Sequence, residues 1–262
     1  MENPDEAMVS SCCTDVYNHP LVLKLLNGIL HPGGLALSAL MAEKMGLTDQ
    51  GTLLDVASGE GTTAIFLSRK FNCSVYGIDA SPLMIEKASR RVTELNLRGH
   101  VAFRQSMASK IPYNDNFFSG AYSECSLCTF PDKRTAIREI YRVLQKNGKF
   151  GLNDVVIQNR ELLDSELQNL LGRALCIADA LSHDEYTNLV EGEGFVLREQ
   201  EDFTHLLTEL VDRAAGNAQL LSNTSETNLQ KSLDDAKSII TKVQTQIASN
   251  NIGYHLFIFE KI

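Results

Sequence analysis

The sequence is short of positive charge: 24 Lys and Arg stand against 33 Asp and Glu, a formal net charge of −9 over 262 residues. Phosphate contacts need clustered cations, so no nucleic-acid partner is expected. Long apolar runs are also missing. Residues 35–41 form one of the longest, far short of the roughly 20 residues that a membrane-spanning helix needs, and no membrane partner is expected. The opening Met1-Glu2-Asn3-Pro4-Asp5-Glu6 is acidic and lacks an apolar stretch. No secretory signal is therefore expected, and the expected location is the cytoplasm. No internal repeat, low-complexity tract or linker is visible, which favours one large α/β domain with helical additions. Cysteine is sparse, at positions 12, 13, 73, 125, 128 and 176. In a reducing compartment these thiols stay reduced, which argues against a disulfide framework. Thiol chemistry stays open, because thiolates are ligands for soft metals and metalloids.

What is present is an alternation of strands and helices. Pro20 suits the first turn of a helix, and Leu21, Val22, Leu23, Leu25 and Leu26 continue it as an apolar face. Gly33-Gly34 breaks the chain, and residues 35–45 read as a second helix. Residues 52–57 are a short apolar run, hence a buried parallel strand. A helix over 62–71, a strand over 74–79 and a helix from Ser81-Pro82 to about 95 follow, with Ser at the N-cap and Pro next to it. Strands over 100–104 and 118–123, a helix over 133–144, a turn at Asn147-Gly148 and a strand over 149–157 continue the pattern. This alternation implies a doubly wound, mostly parallel sheet with helices on both faces. Helices over 162–180 and 184–193, a strand over 195–199, helices over 203–215 and 228–247, and a strand over 252–260 are expected to close it. Residues 1–50 read as an N-terminal helical lid or extension, and 51–262 as the domain itself.

The segment Asp55-Val56-Ala57-Ser58-Gly59-Glu60-Gly61-Thr62 lies between a strand and a helix. Glycines let the backbone turn tightly and approach a ligand with no Cβ in the way. Alone, such a loop is any nucleotide-binding strand-loop-helix or a plain turn. Asp79 sharpens the reading: it ends the next strand, 18 residues beyond Gly61, where a carboxylate can grip both ribose hydroxyls. The loop lacks the Lys-Ser/Thr ending that a triphosphate requires, and residues 62–65 lack the third glycine of a dinucleotide fold. Asp55–Gly61, Asp79 and Ile111-Pro112-Tyr113 together resemble the class I S-adenosylmethionine-dependent methyltransferases. The resemblance implies a seven-stranded, Rossmann-like methyltransferase sheet and S-adenosyl-L-methionine as cofactor. It implies Asp55, Ala57, Gly59 and Gly61 at the methionine end, Asp79 at the ribose, and Ala80, Met107, Ala108 and Ser123 nearby. Met107 stands where family members often carry an adenine-binding Asp; a Met can pack on the ring face.

Methyl transfer from a sulfonium needs a nucleophile held in line with the methyl group. The acceptor should therefore lie beyond the carboxyl ends of the fourth and fifth strands. Cys125 there is either a small buried residue or a ligand. Cys125-x-x-Cys128 is no structural zinc site, because such a site wants four ligands and no second pair exists. Two segments resemble the arsenite methyltransferases. Cys125 stands six residues before Pro131-Asp132-Lys133, and Cys176-Ile177-Ala178-Asp179-Ala180 precedes a helix leading to Gly194-Phe195. The resemblance implies that Cys125 and Cys176 hold trivalent arsenic, which is thiophilic and attacks the methyl carbon through its own lone pair. No general base is then required, and a thiol reductant is the implied second partner. Cys12 and Cys13 are candidate further arsenic ligands, with an incidental exposed pair or a redox-sensitive pair as the alternatives. Cys128 is either another thiol of the site or core, and Cys73 is expected to be inert. His31-Pro32-Gly33-Gly34 could line the acceptor pocket or be a helix-helix turn, and Tyr17 and His19 could cover the sulfonium or simply pack. Two other functions fit the same fold: a small-molecule C- or O-methyltransferase of the quinone or sterol type, and a non-catalytic metalloid-binding protein.

Overall fold

Leu53, Leu54 and Val56 are Leu and Val in a short run bounded by Gly51 and by the glycine loop, a composition that fits a pleated, fully buried strand. In a computed structural model they form β1 (Thr52–Val56), the centre of a seven-stranded sheet. The structure describes residues 19–29, 31–169, 172–173, 175–222 and 227–262. Before β1 come α1 (Pro20–Leu26) and α2 (Gly34–Lys44). After it come α3 (Thr62–Phe71), β2 (Ser74–Asp79), α4 (Pro82–Glu94), β3 (Val101–Gln105) and β4 (Phe118–Glu124). Then follow α5 (Lys133–Val143), β5 (Leu144–Ile157), α6 (His183–Glu191) and β6 (Phe195–Asp202). The chain closes with α7 (Thr204–Leu221), α8 (Thr227–Ala248) and β7 (Ile252–Lys261).

The strand order is β3-β2-β1-β4-β5-β7-β6. Neighbours are parallel except β7, which runs antiparallel to both β5 and β6. This is the expected Rossmann-like methyltransferase sheet. From β1 the chain winds towards β2 and β3, and from β4 it winds towards β5. The two directions part between β1 and β4, which opens a crevice beyond their carboxyl ends. Both central strands are buried on both faces: Leu53 and Tyr122 point into one apolar cluster, Leu54 and Ala121 into the other. Burying each such large apolar side chain contributes about 1.5–3 kcal/mol, so the strand ends that frame the crevice rest on a rigid base.

Local chemistry sets the element ends. Ser81 caps α4 by accepting from the Met84 amide, with Pro82 at the first helical position. Ser182 and Glu185 form a reciprocal capping box on α6. The single continuous helix expected over 162–180 does not form; among the described residues of that range only 172–173 are α-helical. Instead Asn159 and Asp164 accept from the amides of Glu161 and Glu166, and two short 3-10 turns result, Arg160–Leu162 and Ser165–Leu167. Such side chains offer the backbone a turn in place of a helix. Asn147, with φ 63°, sits inside β5 as a bulge rather than in a separate turn. β6 and α7 run further than expected, to Asp202 and Leu221.

The described part of the N-terminal segment packs onto the domain. Leu21 and Leu25 of α1 join Ala214, Ala218 and Leu233 of α7 and α8 in a small cluster, and Asn217 Nδ2 donates to the Leu25 carbonyl at 2.8 Å. No helix among the described residues is long and apolar enough to cross a membrane.

Candidate functional site

Three residues of the β1–α3 loop adopt left-handed backbone: Ala57 (φ 65°), Gly59 (φ 51°) and Gly61 (φ 73°). The loop therefore coils into a cradle with its amides turned inward. The Gly59 amide donates to Asp79 Oδ2 at 2.9 Å, and the Ser81 amide to Oδ1 at 2.8 Å, which fixes the carboxylate at the end of β2. The two glycines serve different ends. A Cβ on Gly61 would lie 2.3 Å from the Phe103 ring, so that position must be bare for packing. A Cβ on Gly59 would meet nothing within 4 Å, so that position faces open space.

The cradle is electronegative. Asp55 is buried at the end of β1, and burial pushes its carboxyl well above the usual range, with the charges of Glu124 and Asp79 adding to the effect. Burial also raises Asp79, against the pull of its two amide bonds. A cationic group placed among these carboxylates relieves their mutual repulsion. Ala80, Met107 and Ala108 lie half-buried at the neighbouring strand ends. The Ser123 side chain is buried and its hydroxyl meets that of Ser126 at 2.5 Å.

Cys125 follows directly on Glu124, at the end of β4. Its backbone is left-handed (φ 48°), and its amide donates to the Asn153 carbonyl at 2.8 Å. Cys176, also left-handed (φ 62°), is brought to it across the chain: its thiol donates to the Cys125 carbonyl at 2.8 Å. The Cys125 thiol points to the Tyr254 hydroxyl at 3.3 Å. Cys128 lies in the 3-10 turn Leu127–Thr129, and its amide donates to Asp154 Oδ2 at 3.0 Å. The thiols of Cys128 and Cys176 and a carboxylate oxygen of Asp154 all lie within 4.8 Å of one another. The neighbouring Cys176 thiol and then burial push Cys125 up; for Cys128 burial comes first. Burial, with the neighbouring Cys176 sulfur adding to it, moves Asp154 to about 7. Cys73 stands apart, bonded to the Leu67 carbonyl at 3.6 Å and pushed by burial to about 11, as fits an inert thiol. Cys12, Cys13 and Tyr17 lie outside the described residues.

Cys125 and Cys176 also line a cavity of about 510 Å³. Its other walls come from α1, α7 and α8, through residues such as Leu21, Leu25, Leu207, Val211, Ile239 and Val243. His19 lines it too, while its Nδ1 caps α1 by accepting from the Leu21 amide at 3.2 Å.

Several residues here carried no sequence signal strong enough to single them out. Glu124 accepts from Ser38 Oγ at 2.9 Å and Asn153 Nδ2 at 3.2 Å, and His31 Nε2 stands 3.9 Å away, so the 31–34 segment reaches the site. Tyr254 comes from the final strand. Asp154 is the exception: Asn153-Asp154-Val155 resembles the strand-five ending of the arsenite methyltransferases.

Fold and cradle together are like those of class I, S-adenosylmethionine-dependent methyltransferase domains. Residues 54–152 match the family described as "Methyltransferase domain". The chain is 30% identical over 177 residues to methyltransferase GfsG of Streptomyces halstedii, covering 66% of this chain and 63% of that protein. It is 27% identical over 151 residues to 27-O-demethylrifamycin SV methyltransferase of Amycolatopsis mediterranei, covering 57% and 56%. The chain thus spans about three fifths of the length of these two relatives. In structure it resembles Haemonchus contortus phosphoethanolamine N-methyltransferase 2 in complex with S-adenosyl-L-methionine, with a TM-score of 0.76 at 19% identity, over 95% of this chain and 60% of that one. The residues present fit this cofactor: Gly59 leaves open space beside the Asp79 carboxylate, and the carboxylate cluster suits a sulfonium cation.

Proposed function

We propose that the chain transfers a methyl group from S-adenosylmethionine to a soft trivalent acceptor, arsenite in the first instance, held by Cys125 and Cys176. The observation that carries this reading is the meeting of the two cysteines, 51 residues apart in sequence, both on left-handed backbone at the switch point of the sheet. In this reading Asp55, Gly59 and Gly61 receive the methionine end of the cofactor and Asp79 its ribose, with Ala57, Ala80, Met107, Ala108 and Ser123 around it. The cofactor supplies an electrophilic methyl: the arsenic lone pair forms the C–As bond, the C–S electrons pass to sulfur, and arsenic is oxidised by two electrons. A thiol reductant then returns it to the trivalent state. The protein's part is positional. Thiolates select the soft acceptor over hard ions, and no residue need remove a proton from it.

The test is methyl transfer to arsenite in the presence of a thiol reductant, with speciation of the product. Cys125→Ser and Cys176→Ser should each abolish turnover and leave cofactor affinity unchanged. Near-normal turnover in either variant removes that cysteine from the ligand set.

The apolar cavity favours a second reading, a C- or O-methyltransferase for an apolar organic acceptor. That reading agrees with the name of the rifamycin relative. Val211→Phe narrows the cavity away from the thiols; it should suppress turnover of such acceptors while leaving arsenite methylation within a factor of two or so.

A further inference from the structure

Trivalent arsenic takes three ligands, and Cys125 and Cys176 supply two. We infer that Cys128 is the third sulfur of the acceptor site, so that the site is a Cys125–Cys128–Cys176 trithiol; this rests on the arsenite reading above. Cys176 lies against both of the others: its thiol donates to the Cys125 carbonyl at 2.8 Å and stands within 4.8 Å of the Cys128 thiol. Cys128 and Cys125 sit three residues apart on one tight turn, and the Cys128–Asp154 amide bond at 3.0 Å holds that turn against β5.

Burial alone does not account for Cys128. It is 1% exposed and belongs to an apolar core cluster, but polar groups also lie against it. They are the Cys176 thiol and the wholly buried Asp154 carboxylate, with the Lys133 ammonium near enough to feel its charge. Packing alone gives no reason for a carboxylate and a cation beside it.

The binding step balances without a base or a reductant. Arsenite enters as As(OH)3, and each thiol proton joins one hydroxide. Three As–S bonds form, three As–O bonds break and three waters leave, with no change of oxidation state. The lone pair of arsenic stays opposite the sulfurs, free for the methyl carbon.

X-ray absorption at the arsenic edge counts the sulfur neighbours directly in the full-length, arsenite-loaded protein. The wild type should show three sulfurs. Cys128→Ser and Cys128→Ala should each show two sulfurs and one oxygen, with arsenite affinity lowered at least roughly tenfold. Two substitutions of different polarity are used because Ser keeps a side-chain donor beside Asp154 whereas Ala keeps only the amide bond. The double variant Cys12→Ser/Cys13→Ser should keep three sulfurs. If the Cys128 variants keep three sulfurs, or the Cys12/Cys13 variant drops to two, the third ligand comes from elsewhere and the inference falls while the arsenite reading stands. If the wild type binds no arsenite, both fall together.

Discussion

Gly59 and Gly61 share a loop and a left-handed backbone, yet Ala at each should fail in a different way. At both positions a Cβ in the left-handed region costs about 1–2 kcal/mol. For Gly59→Ala that is the whole cost to the fold, because the new methyl meets nothing within 4 Å. For Gly61→Ala the methyl would lie 2.3 Å from the Phe103 ring, and relieving such an overlap in a packed site costs a further 1–3 kcal/mol or so. Gly61→Ala should therefore lose roughly 2–5 kcal/mol in all, a large share of the about 5–15 kcal/mol that holds a domain folded. Denaturant melts of the two variants measure this directly. Phe103→Leu placed beside Gly61→Ala should recover the steric part and leave the backbone part. Cofactor titration must give the opposite ranking: Gly59→Ala, the more stable of the two variants, should lose at least about tenfold in affinity, because its methyl occupies the space facing Asp79. Equal stabilities for the two variants would refute the packing argument. Wild-type cofactor affinity in Gly59→Ala would refute the assignment of that open space.

Asp79→Ala should weaken cofactor binding by roughly ten- to a hundredfold, the worth of one or two hydrogen bonds to a charged group; unchanged affinity by calorimetry removes Asp79 from the ribose. Asp55 makes stability depend on pH. Burial holds its carboxyl above the ordinary range, so the native state keeps a proton that the unfolded chain gives up near pH 4. Stability of the cofactor-free protein should then fall as pH rises above 4, until the native carboxyl also ionises. Asp55→Asn should reduce this slope, with Asp79 supplying a remainder of the same sign; identical urea midpoint slopes in both proteins would count against it.

The cradle was legible because its chemistry is local. Left-handed turns call for glycine, and a carboxylate at the end of the next strand is a matter of spacing, so Gly59, Gly61 and Asp79 announce themselves within 25 residues or so. The sheet was legible for a similar reason, since alternation fixes the parallel core. Cys125 and Cys176 were approachable only through the resemblance of their flanking segments, because nothing in composition or period says that residues 51 apart will meet. Tyr254 and the cavity walls depend on which elements pack together, a tertiary outcome with no local signature. The 162–180 stretch shows the converse error. It was expected to be helical, but Asn159 and Asp164 turn the backbone to themselves at its start, and Cys176 further along meets Cys125.

Backbone conformation offers an independent check on whether the two cysteines are held for chemistry. Among the described residues, the non-glycine left-handed positions are Asn or Gln except at Ala57, Cys125 and Cys176. Asn tolerates this region because its short side chain bonds locally, whereas a thiol gains nothing comparable. The strain at Cys125 persists because the Asn153 carbonyl takes its amide and the Cys176 thiol takes its own carbonyl. Strain of this kind gathers where function constrains the chain. Comparing Cys125→Gly with Cys125→Ala isolates it, since neither variant has a thiol and both lose turnover equally. In a regular helix or strand Gly is less stable than Ala by about 0.5–1 kcal/mol. Here the order should invert, with Gly more stable by about 1 kcal/mol, and the same inversion should appear at Cys176 (φ 62°). Urea melts of the four variants decide it. If Gly is the less stable of each pair, the left-handed backbone at these sites carries no strain, and the thiols are placed there without cost to the fold.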